Sequence, residues 1–270
     1  MIEPRQDLAA RLSAARTVVI KIGSSLLVDP DDRTPRAAWL ASLARDIADI
    51  RKSGVRVIVV SSGAVALGWR QLGMQRSPQL DHRQAAAAVG QSLLMNAWAG
   101  AFAAQDIAVA QLLLTYDDSE SAQRSANARA TLSVLLGAGV LPVVNENDSV
   151  ATEELKLGDN DRLSALVAEL AGADLLLLLS DVDGLYDRAP DDPEARHIPF
   201  VSTIDDRIAA MAGGADAAGV GTGGMATKLA AARHAAMLDC ATIIASGRDA
   251  HPIEALFNGA RATLFVPAGD

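Results

Sequence analysis

Two lysines of this 270-residue chain stand in glycine-rich segments, one near each end of the sequence. Lys21 opens the segment Lys-Ile-Gly-Ser-Ser after a β-branched run, and Lys228 closes the segment Gly-Val-Gly-Thr-Gly-Gly-Met-Ala-Thr-Lys. Small residues let backbone N–H groups approach a phosphate closely, and a lysine adds positive charge. A strand-end glycine beside a solvated lysine has the same local pattern, so each segment alone is only a candidate phosphate-binding site.

Hydroxyl, amide and carboxylate side chains cluster between the two lysines. Ser61-Ser-Gly-Ala stands at a strand-to-helix junction, where a helix N-terminus with hydroxyls favours a bound anion such as a carboxylate. Asn145-Glu-Asn-Asp follows an apolar run, and Gly158-Asp-Asn-Asp opens a helix. A serine N-cap, an Asx-rich turn and acidic capping residues would give the same patterns without a ligand. The interval of 13 residues from Asp148 to Asp161 fits a β-hairpin between the two acidic clusters.

The glycine-rich segment before Lys228 does not match the common nucleotide-binding patterns. Gly219, Gly221 and Gly224 satisfy G-x-G-x-x-G, but no strand precedes them and no acid follows about 20 residues later at a strand end. The Walker A pattern fails because Lys228 does not directly follow a glycine. What remains is a glycine-rich loop feeding a helix with a lysine one turn in, which suits the phosphates of a nucleotide.

Two lysines with carboxylates between them form the set that phosphoryl transfer needs. In that reaction the protein aligns donor and acceptor and neutralises charge on the moving phosphoryl group. Other chemistries find less support. The nucleophile pattern G-x-S-x-G is absent around the serine cluster. The four histidines show no metal-ligand spacing. The single cysteine completes neither a disulfide nor a cysteine-based zinc cluster.

Composition excludes several classes of protein. Hydrophobic residues make up 50% of the chain and aromatic residues 3%, so the core must be built mainly from Ala, Leu, Val and Ile. The net charge is −9 and the basic residues are scattered, so no nucleic-acid partner is expected. The N-terminus lacks a signal-peptide stretch, and the uncharged residues 84–105 carry too much Ala, Gln and Gly for a membrane span. We therefore expect a cytoplasmic protein with no membrane partner.

The elements that must position these residues alternate between strands and helices. Strands are predicted over residues 17–22, 55–60, 107–114, 140–144, 175–179, 241–245 and 262–265. Helices are predicted over residues 35–53 with Thr34 as N-cap, over a segment ending at Gly73, and over 81–105, 119–137, 159–171, 224–238 and 251–257. Residues 187–199 are expected to form a surface loop or hairpin. This alternation predicts a mostly parallel sheet between helices, with ligands at the carboxyl ends of the strands.

The motifs resemble the amino-acid kinase family over about residues 17–265. The segments that carry the resemblance are Lys21-Ile-Gly-Ser-Ser, Ser61-Ser-Gly-Ala, Ala88-Val-Gly-Gln, Asn127-Ala-Arg, Val144-Asn-Glu-Asn-Asp, Gly158-Asp-Asn-Asp, Leu163-Ser-Ala, Ser180-Asp-Val-Asp-Gly-Leu-Tyr and Gly221-Thr-Gly-Gly-Met-Ala-Thr-Lys. Each is modest alone, but their order and spacing are specific. The resemblance implies an α/β fold, an αβα sandwich around a mostly parallel central sheet of about eight strands. Residues 1–270 would form one kinase domain, with an N-terminal extension at 1–16, a glutamate-binding part at roughly 17–175 and a nucleotide-binding part at roughly 176–265.

The resemblance also implies an activity and a set of site residues. The segments are most similar to family members that use ATP and Mg²⁺ to phosphorylate the γ-carboxylate of L-glutamate, giving γ-glutamyl 5-phosphate in the first step of proline biosynthesis. Lys21 and Lys228 would contact the phosphates, and Asp161 would hold the two lysines in place. The expected substrate-binding residues are Ser62, Gly63, Asn145, Asp148 and Asn160. The expected nucleotide-binding residues are Lys21, Gly23, Ser180, Asp181, Thr222, Gly223, Gly224, Met225, Ala226, Thr227 and Lys228, with no residue as a direct metal ligand.

Regulation and assembly are further expectations from the same resemblance. Such family members suggest proline as a feedback inhibitor and a homo-oligomer, either dimer or tetramer. Many carry a C-terminal PUA domain, whereas this sequence stops just after the last predicted kinase strand, so a kinase domain without it is expected. The alternatives are a family kinase acting on N-acetylglutamate, aspartate, carbamate or UMP, or a non-catalytic sensor of glutamate or proline. Asp148 favours a substrate with a free α-amino group, because an acetylated one carries no charge.

Overall fold

The central sheet has eight strands, and helices cover both of its faces. The computed structural model describes residues 4–150, 160–212 and 224–267. The strands are β1 Thr17–Ile22, β2 Arg56–Ser61, β3 Val109–Leu114, β4 Leu141–Glu146, β5 Leu175–Ser180, β6 Leu185–Tyr186, β7 His197–Ile198, β8 Phe200–Val201, β9 Ala241–Ser246 and β10 Ala262–Phe265. The helices are α1 Pro4–Ala14, α2 Ser24–Leu27, α3 Ala37–Lys52, α4 Ala64–Gln71, α5 Leu80–Ala103, α6 Tyr116–Glu120, α7 Ala122–Gly137, α8 Asn160–Ala171, α9 Asp206–Met211, α10 Met225–Ala236 and α11 Pro252–Phe257.

β1 is an interior strand of the sheet, whose order is β3-β4-β2-β1-β5-β9-β10-β8. It pairs in parallel with β2 on one side and with β5 on the other. β10 runs antiparallel to β9, and β8 extends the sheet in parallel with β10. The expected αβα sandwich around a mostly parallel sheet is confirmed. Because parallel strands end at a common edge, the polar residues that follow β1, β2, β4 and β5 come close together.

Each face of the sheet has its own apolar core. Val18, Ile20 and Ile22 of β1 join a buried cluster with residues of α1, α3, α4, α5 and α11. Val19 lies in a second cluster with residues of α7, α8 and α10. Burying one such side chain completely stabilises a protein by roughly 1.5–3 kcal/mol relative to leaving it exposed. Packing on both faces therefore fixes β1, and with it the backbone of Lys21.

Two glycines let α4 and α5 approach each other very closely. A Cβ atom added at Gly90 would lie 1.7 Å from the carbonyl oxygen of Ala64, and one added at Gly68 would lie 1.8 Å from that of Ala86. Real Cβ atoms do not come so close to backbone, so only glycine permits this contact. The start of α4 is thereby held against the middle of α5.

The first long helix begins later than predicted. It starts at Ala37 with Arg36 as N-cap, not at Pro35 with Thr34 as N-cap. The backbone N–H of Arg36 donates to the carbonyl oxygen of Leu27, which turns the preceding segment back towards α2. This long-range bond competes with the local capping pattern and moves the start of the helix.

Other boundaries also differ from the sequence-based prediction. The helix predicted over residues 119–137 is two helices, divided at Ser121, whose side chain accepts from the backbone N–H of Arg124. β4 extends to Glu146, so Asn145 belongs to a strand and not to the turn after it. β8 was not predicted because a strand of 2 residues carries too short a pattern, and α9 was not predicted because none of its 6 residues is buried to mark an apolar face.

Of the two hairpins expected from the sequence, one can be compared with the structure. β6 and β7 pair in antiparallel fashion around the loop at residues 187–196, which confirms the hairpin expected near residues 187–199. The hairpin expected between Asp148 and Asp161 falls on residues 151–159, outside the described residues.

Within the described residues, no helix is both long and apolar enough to cross a lipid bilayer. The uncharged residues 84–105 lie largely in α5, as predicted for a buried helix. Its Leu94, Trp98 and Phe102 are completely buried in the core.

Candidate active site

A cleft of about 840 Å³ opens at the carboxyl ends of the parallel strands. Side chains from distant parts of the sequence face it. The predicted site residues that line it are Lys21, Gly23, Ser62, Gly63, Asn145, Asp148, Asn160, Ser180, Asp181 and Lys228. The fold thus brings both glycine-rich lysine segments and the polar clusters between them to one cavity.

Lys21 and Lys228 converge on the carboxylate of Asp161. Lys21 Nζ lies 2.6 Å from Asp161 Oδ1, and Lys228 Nζ lies 3.3 Å from Asp161 Oδ2. All three residues are buried, with exposed fractions of 5% for Lys21, 3% for Lys228 and 0% for Asp161. A buried carboxylate that contacts two ammonium groups restricts both, because moving either one would leave a buried charge poorly compensated.

The position of each member of this trio follows from the element that carries it. Lys21 is in the interior strand β1, and Asp161 is the second residue of α8. Lys228 lies in the first turn of α10, where its backbone N–H donates to the carbonyl oxygen of Gly224. Thr227 Oγ1 donates to Asp161 Oδ2 at 2.8 Å, which ties the start of α10 to α8.

The electrostatics of the trio favour an anion. Burial by itself raises the pKa of Asp161, but the charges of Lys21 and Lys228 and the hydrogen bonds from Lys21 and Thr227 lower it by more, so that pKa lies below its ordinary value of 3.8. Asp161 is therefore ionised at neutral pH. Two ammonium groups against one carboxylate leave an excess positive charge at this point of the cleft, where a phosphate would be attracted.

A relay of hydrogen-bonded side chains also reaches the cleft. Asn160 Nδ2 donates to Ser62 Oγ at 2.6 Å and to Asn145 Oδ1 at 3.0 Å. Asn145 Nδ2 donates in turn to Gln91 Oε1 at 2.9 Å. The relay connects α8, the end of β2, β4 and α5, so the polar groups that face the cleft are fixed by four elements of the fold.

Gly63 gives the cleft a helix N-terminus. It is the N-cap of α4 and has a φ of 112°, a left-handed conformation that strongly favours glycine. A Cβ atom there would also lie 3.2 Å from Val28 Cγ2. Ala64 and Val65, the first residues of α4, line the cleft beside the Ser62 hydroxyl. Free N–H groups at a helix start attract an anion such as a carboxylate.

Five of the predicted nucleotide-binding residues lie at the end of β5 and at the start of α10. Ser180 Oγ donates to Asp181 Oδ1 at 3.0 Å, and both residues line the cleft where β5 ends. Gly224 is the N-cap of α10, and Met225 and Ala226 begin that helix. These last three do not line the cleft as it is formed by the described residues.

The remaining nucleotide-binding candidates are three in number. Gly23 follows β1, is the N-cap of α2 and lines the cleft. Thr222 and Gly223 fall on residues 213–223, outside the described residues. Their assignment to the nucleotide stays a prediction.

Further residues line the cleft that sequence reasoning did not single out, and among the polar ones are Arg76, Ser77, Arg83 and Glu146. The first three come from the segment before α5 and from its start, where no periodic pattern indicates which cavity a side chain will face. Glu146 was inside a predicted polar cluster, but its burial at the end of β4 follows only from the strand being longer than predicted.

Comparison with known proteins assigns the chain to a family. The model of the amino acid kinase family matches residues 16–246. The chain belongs to the amino acid kinase family. Similar curated proteins include a glutamate 5-kinase of Caulobacter vibrioides (strain NA1000 / CB15N), 58% identical over 259 residues, 95% of this chain and 68% of the relative. A glutamate 5-kinase of Gluconobacter oxydans (strain 621H) is 52% identical over 264 residues, 97% of this chain and 70% of the relative.

Solved structures show that this amino acid kinase shares its architecture with distant proteins. Carbamate kinase from Giardia lamblia bound to AMP-PNP matches with a TM-score of 0.64 and 19% identity, over 94% of this chain and 99% of that one. Isopentenyl phosphate kinase of T. acidophilum matches with a TM-score of 0.63 and 17% identity, over 92% and 99% of the two chains. At such identities the likeness shows the fold alone.

Proposed function

We propose that this amino acid kinase uses ATP to phosphorylate the γ-carboxylate of L-glutamate, giving γ-glutamyl 5-phosphate in the first step of proline biosynthesis. The relatives named glutamate 5-kinase, 58% and 52% identical over most of the chain, support this substrate. The structural observation that carries the proposal is the convergence of Lys21 and Lys228 on Asp161 in a cleft that also contains Ser62 and Asn160.

The proposed reaction requires stabilisation of negative charge more than it requires removal of a proton. The γ-carboxylate is already ionised at neutral pH, so no strong general base is required. The barrier arises in part from bringing two anions together. Lys21 and Lys228 face the cleft and would offset the charge on the transferred phosphoryl group. Holding both reactants in one orientation could contribute up to ~7–11 kcal/mol.

Glutamate would lie on the side of the cleft formed by Ser62, Gly63, Asn145, Asp148 and Asn160. The Ser62 hydroxyl and the start of α4 would bind the α-carboxylate. Asp148 would attract the α-ammonium group, and an acetylated amino group would gain no such attraction. This argument favours free glutamate over N-acetylglutamate.

The nucleotide would lie on the opposite side, against Gly23, Ser180 and Asp181 and the glycine-rich segment 222–228. In this proposal residues 1–270 form one kinase domain. Residues 17–175 supply most of the glutamate site and 176–265 most of the nucleotide site, with 1–16 as an N-terminal extension. Lys21 and Gly23 are exceptions, since they would contact the nucleotide from the first part.

Mg²⁺ would enter the cleft with the phosphates of ATP and would neutralise part of their charge. It prefers oxygen ligands and usually keeps several water molecules, so few protein ligands are needed. Asp181 is exposed at the end of β5 and would hold the ion through water. Asp161 does not fit that role, because both of its oxygens contact lysines. Among the described residues, the group of three metal-ligand types, Asp46, His251 and Glu254, does not line the cleft.

The direct test is detection of the acyl phosphate. The purified protein would be incubated with ATP, Mg²⁺ and hydroxylamine, which converts an acyl phosphate into a hydroxamate that forms a coloured complex with added ferric iron. Glutamate should give hydroxamate together with an equal amount of ADP, and omission of glutamate should abolish both. Parallel reactions with N-acetylglutamate and aspartate serve as controls. Faster turnover of either control would reassign the substrate, and glutamate binding without ADP release would indicate a sensor.

Three finer expectations accompany the proposed activity. Proline would inhibit as an end product, the chain would assemble into a homodimer or homotetramer, and the enzyme would act in the cytoplasm. Initial rates with and without proline test the first expectation. Light scattering of the purified chain tests the second, and fractionation of cells tests the third.

A further inference from the structure

Gln91 is a buried polar residue in a helix that is otherwise rich in alanine. It lies in α5, and only 8% of its surface is exposed. Its Oε1 accepts a hydrogen bond from Asn145 Nδ2, while its Nε2 is buried and has no partner among the described residues. A buried donor without a partner costs stability. Any favourable effect of Gln91 on the structure must therefore come from its acceptor oxygen, Oε1.

One backbone group determines the direction of every hydrogen bond in the relay. The N–H of Glu146 lies 2.9 Å from the Asn145 side-chain atom Oδ1. A backbone N–H can only donate, so that side-chain atom must be the oxygen. Asn145 must then present its nitrogen to Gln91, which can complete the bond only with an acceptor. Glutamine meets this requirement with Oε1.

The same logic extends from Asn145 to the cleft. The Asn160 atom 3.0 Å from Asn145 Oδ1 must be the donor Nδ2, and this nitrogen also lies 2.6 Å from Ser62 Oγ. Nδ2 also lies 3.4 Å from the carbonyl oxygen of Ser61, but the two shorter contacts account for both of its protons. Ser62 Oγ accepts one of them, so its own hydroxyl proton remains available to the cleft. No hydrogen bond between described residues uses Asn160 Oδ1, which remains available as an acceptor.

We infer that Gln91 is a positioning residue whose acceptor oxygen holds the Asn145 side chain in this relay, so that Ser62 faces the cleft as a hydrogen-bond donor and Asn160 as an acceptor. A donor matches the α-carboxylate of an amino acid, and an acceptor matches its α-ammonium group. The inference rests on the proposed function, because it takes free glutamate as the ligand. Gln91 itself does not line the cleft, so its effect on a ligand there would act through Asn145.

The test compares two substitutions of Gln91 that differ in one respect. Gln91→Met has nearly the same size but no acceptor oxygen, whereas Gln91→Glu keeps an acceptor where Oε1 stands. Asn96→Met, at an exposed position of the same helix, is the matched control. For each protein, the KM values for glutamate and for ATP, kcat, the Kd for glutamate by calorimetry and the melting temperature are measured.

Loss of one relay hydrogen bond should raise the glutamate KM and Kd of Gln91→Met about 3- to 10-fold. Its ATP KM should stay within twofold of the wild-type value. Gln91→Glu should show a smaller rise in the glutamate KM, and Asn96→Met none. The inference is overturned if glutamate and ATP KM rise together in step with a fall in melting temperature, if Gln91→Met has a wild-type glutamate KM, or if Gln91→Glu is impaired as much as Gln91→Met.

Failure of the proposed function gives a different result. If the wild-type protein neither binds nor phosphorylates glutamate, both the proposed function and the proposed role of Gln91 are wrong. If the wild-type protein turns over glutamate while the Gln91 variants behave like Asn96→Met, only the role of Gln91 falls.

Discussion

Replacing Asp161 with asparagine should reduce both stability and turnover, because it removes the charge that Lys21 and Lys228 share. Asp161 has no exposed surface, and the two Nζ atoms lie 2.6 and 3.3 Å from its oxygens. Removing one partner of a buried ion pair costs about 3–5 kcal/mol of unfolding free energy. Since about 1 kcal/mol shifts the melting temperature of a domain of comparable size by roughly 2–4 °C, we expect a fall of ~6–20 °C.

The effect on turnover follows from the loss of alignment. An amide can accept a bond from one lysine, but its NH2 group cannot accept from the other. A displacement of about 1 Å at a reacting centre can lower a rate ~10²-fold. We therefore expect kcat of Asp161→Asn in the hydroxamate assay to fall by at least ~10²-fold, with the fold intact by circular dichroism at a temperature below the melting point.

The contribution of Asp161 to stability should also depend on pH. Its pKa is held below 3.8 in the folded protein, so its stabilising effect is present above the unfolded value and is lost as the pH falls through the folded value. The difference in unfolding free energy between wild type and Asp161→Asn should be constant near neutral pH and should shrink below about pH 4. Urea denaturation at several pH values measures it.

A second buried aspartate provides the matched control. Asp46, with 2% of its side chain exposed, accepts from the backbone N–H groups of Ile253 and Glu254 and does not line the cleft. Asp46→Asn should lower the melting temperature but leave kcat within about twofold. If Asp161→Asn kept a wild-type kcat, or if both variants lost turnover equally, the proposed role of the shared carboxylate would be wrong.

Other substitutions separate the roles of charge, recognition and packing. Lys228→Ala should lower kcat by at least ~10²-fold if this lysine acts on the transferring phosphoryl group, and an unchanged kcat would remove it from the mechanism. Asp148→Asn should raise the glutamate KM by ~10-fold or more through loss of a charge-assisted bond, with the ATP KM unchanged. A raised ATP KM with an unchanged glutamate KM would show that the substrate-binding site is assigned wrongly. Gly90→Ala should lower the melting temperature sharply because its Cβ would lie 1.7 Å from Ala64 O. Gly100→Ala, on the same helix with nothing within 4 Å, should instead stabilise by up to ~1 kcal/mol in urea denaturation, and equal effects of the two would contradict the packing argument.

The strands of the sheet could be predicted from sequence because most of them are buried on both faces. β5 is an apolar run that ends at Ser180, and β1 is a mostly apolar run interrupted by Lys21. The predicted and observed bounds of both strands agree within one residue. The start of α3 could not be predicted, since it depends on a bond between Arg36 and Leu27 across a turn. β8 is recognisable as a strand only through its pairing with β10.

The candidate site could also be predicted in part from the sequence, because many of its residues belong to short motifs at the ends of strands and helices. Residues in short polar or glycine-rich motifs at a strand end or a helix start, such as Ser62, Asn160 and Lys228, do face one cleft. Arg76 and Arg83 also face it, but they belong to no strand-end motif. The role of Gln91 depends on its contact with Asn145, a residue of another element, so local sequence could mark it only as part of a motif.

The interior position of β1 has a consequence for how the protein can be made or divided. β2 follows β1 closely in the sequence, but β5, which covers the other edge of β1, does not begin until Leu175. Until then a growing polypeptide presents an apolar strand with an unpaired edge, which invites pairing with other chains. Fragments that stop short of β5 should therefore precipitate. A two-piece version intended for complementation is better divided in the loop at residues 187–196, once β1 has a neighbour on each side.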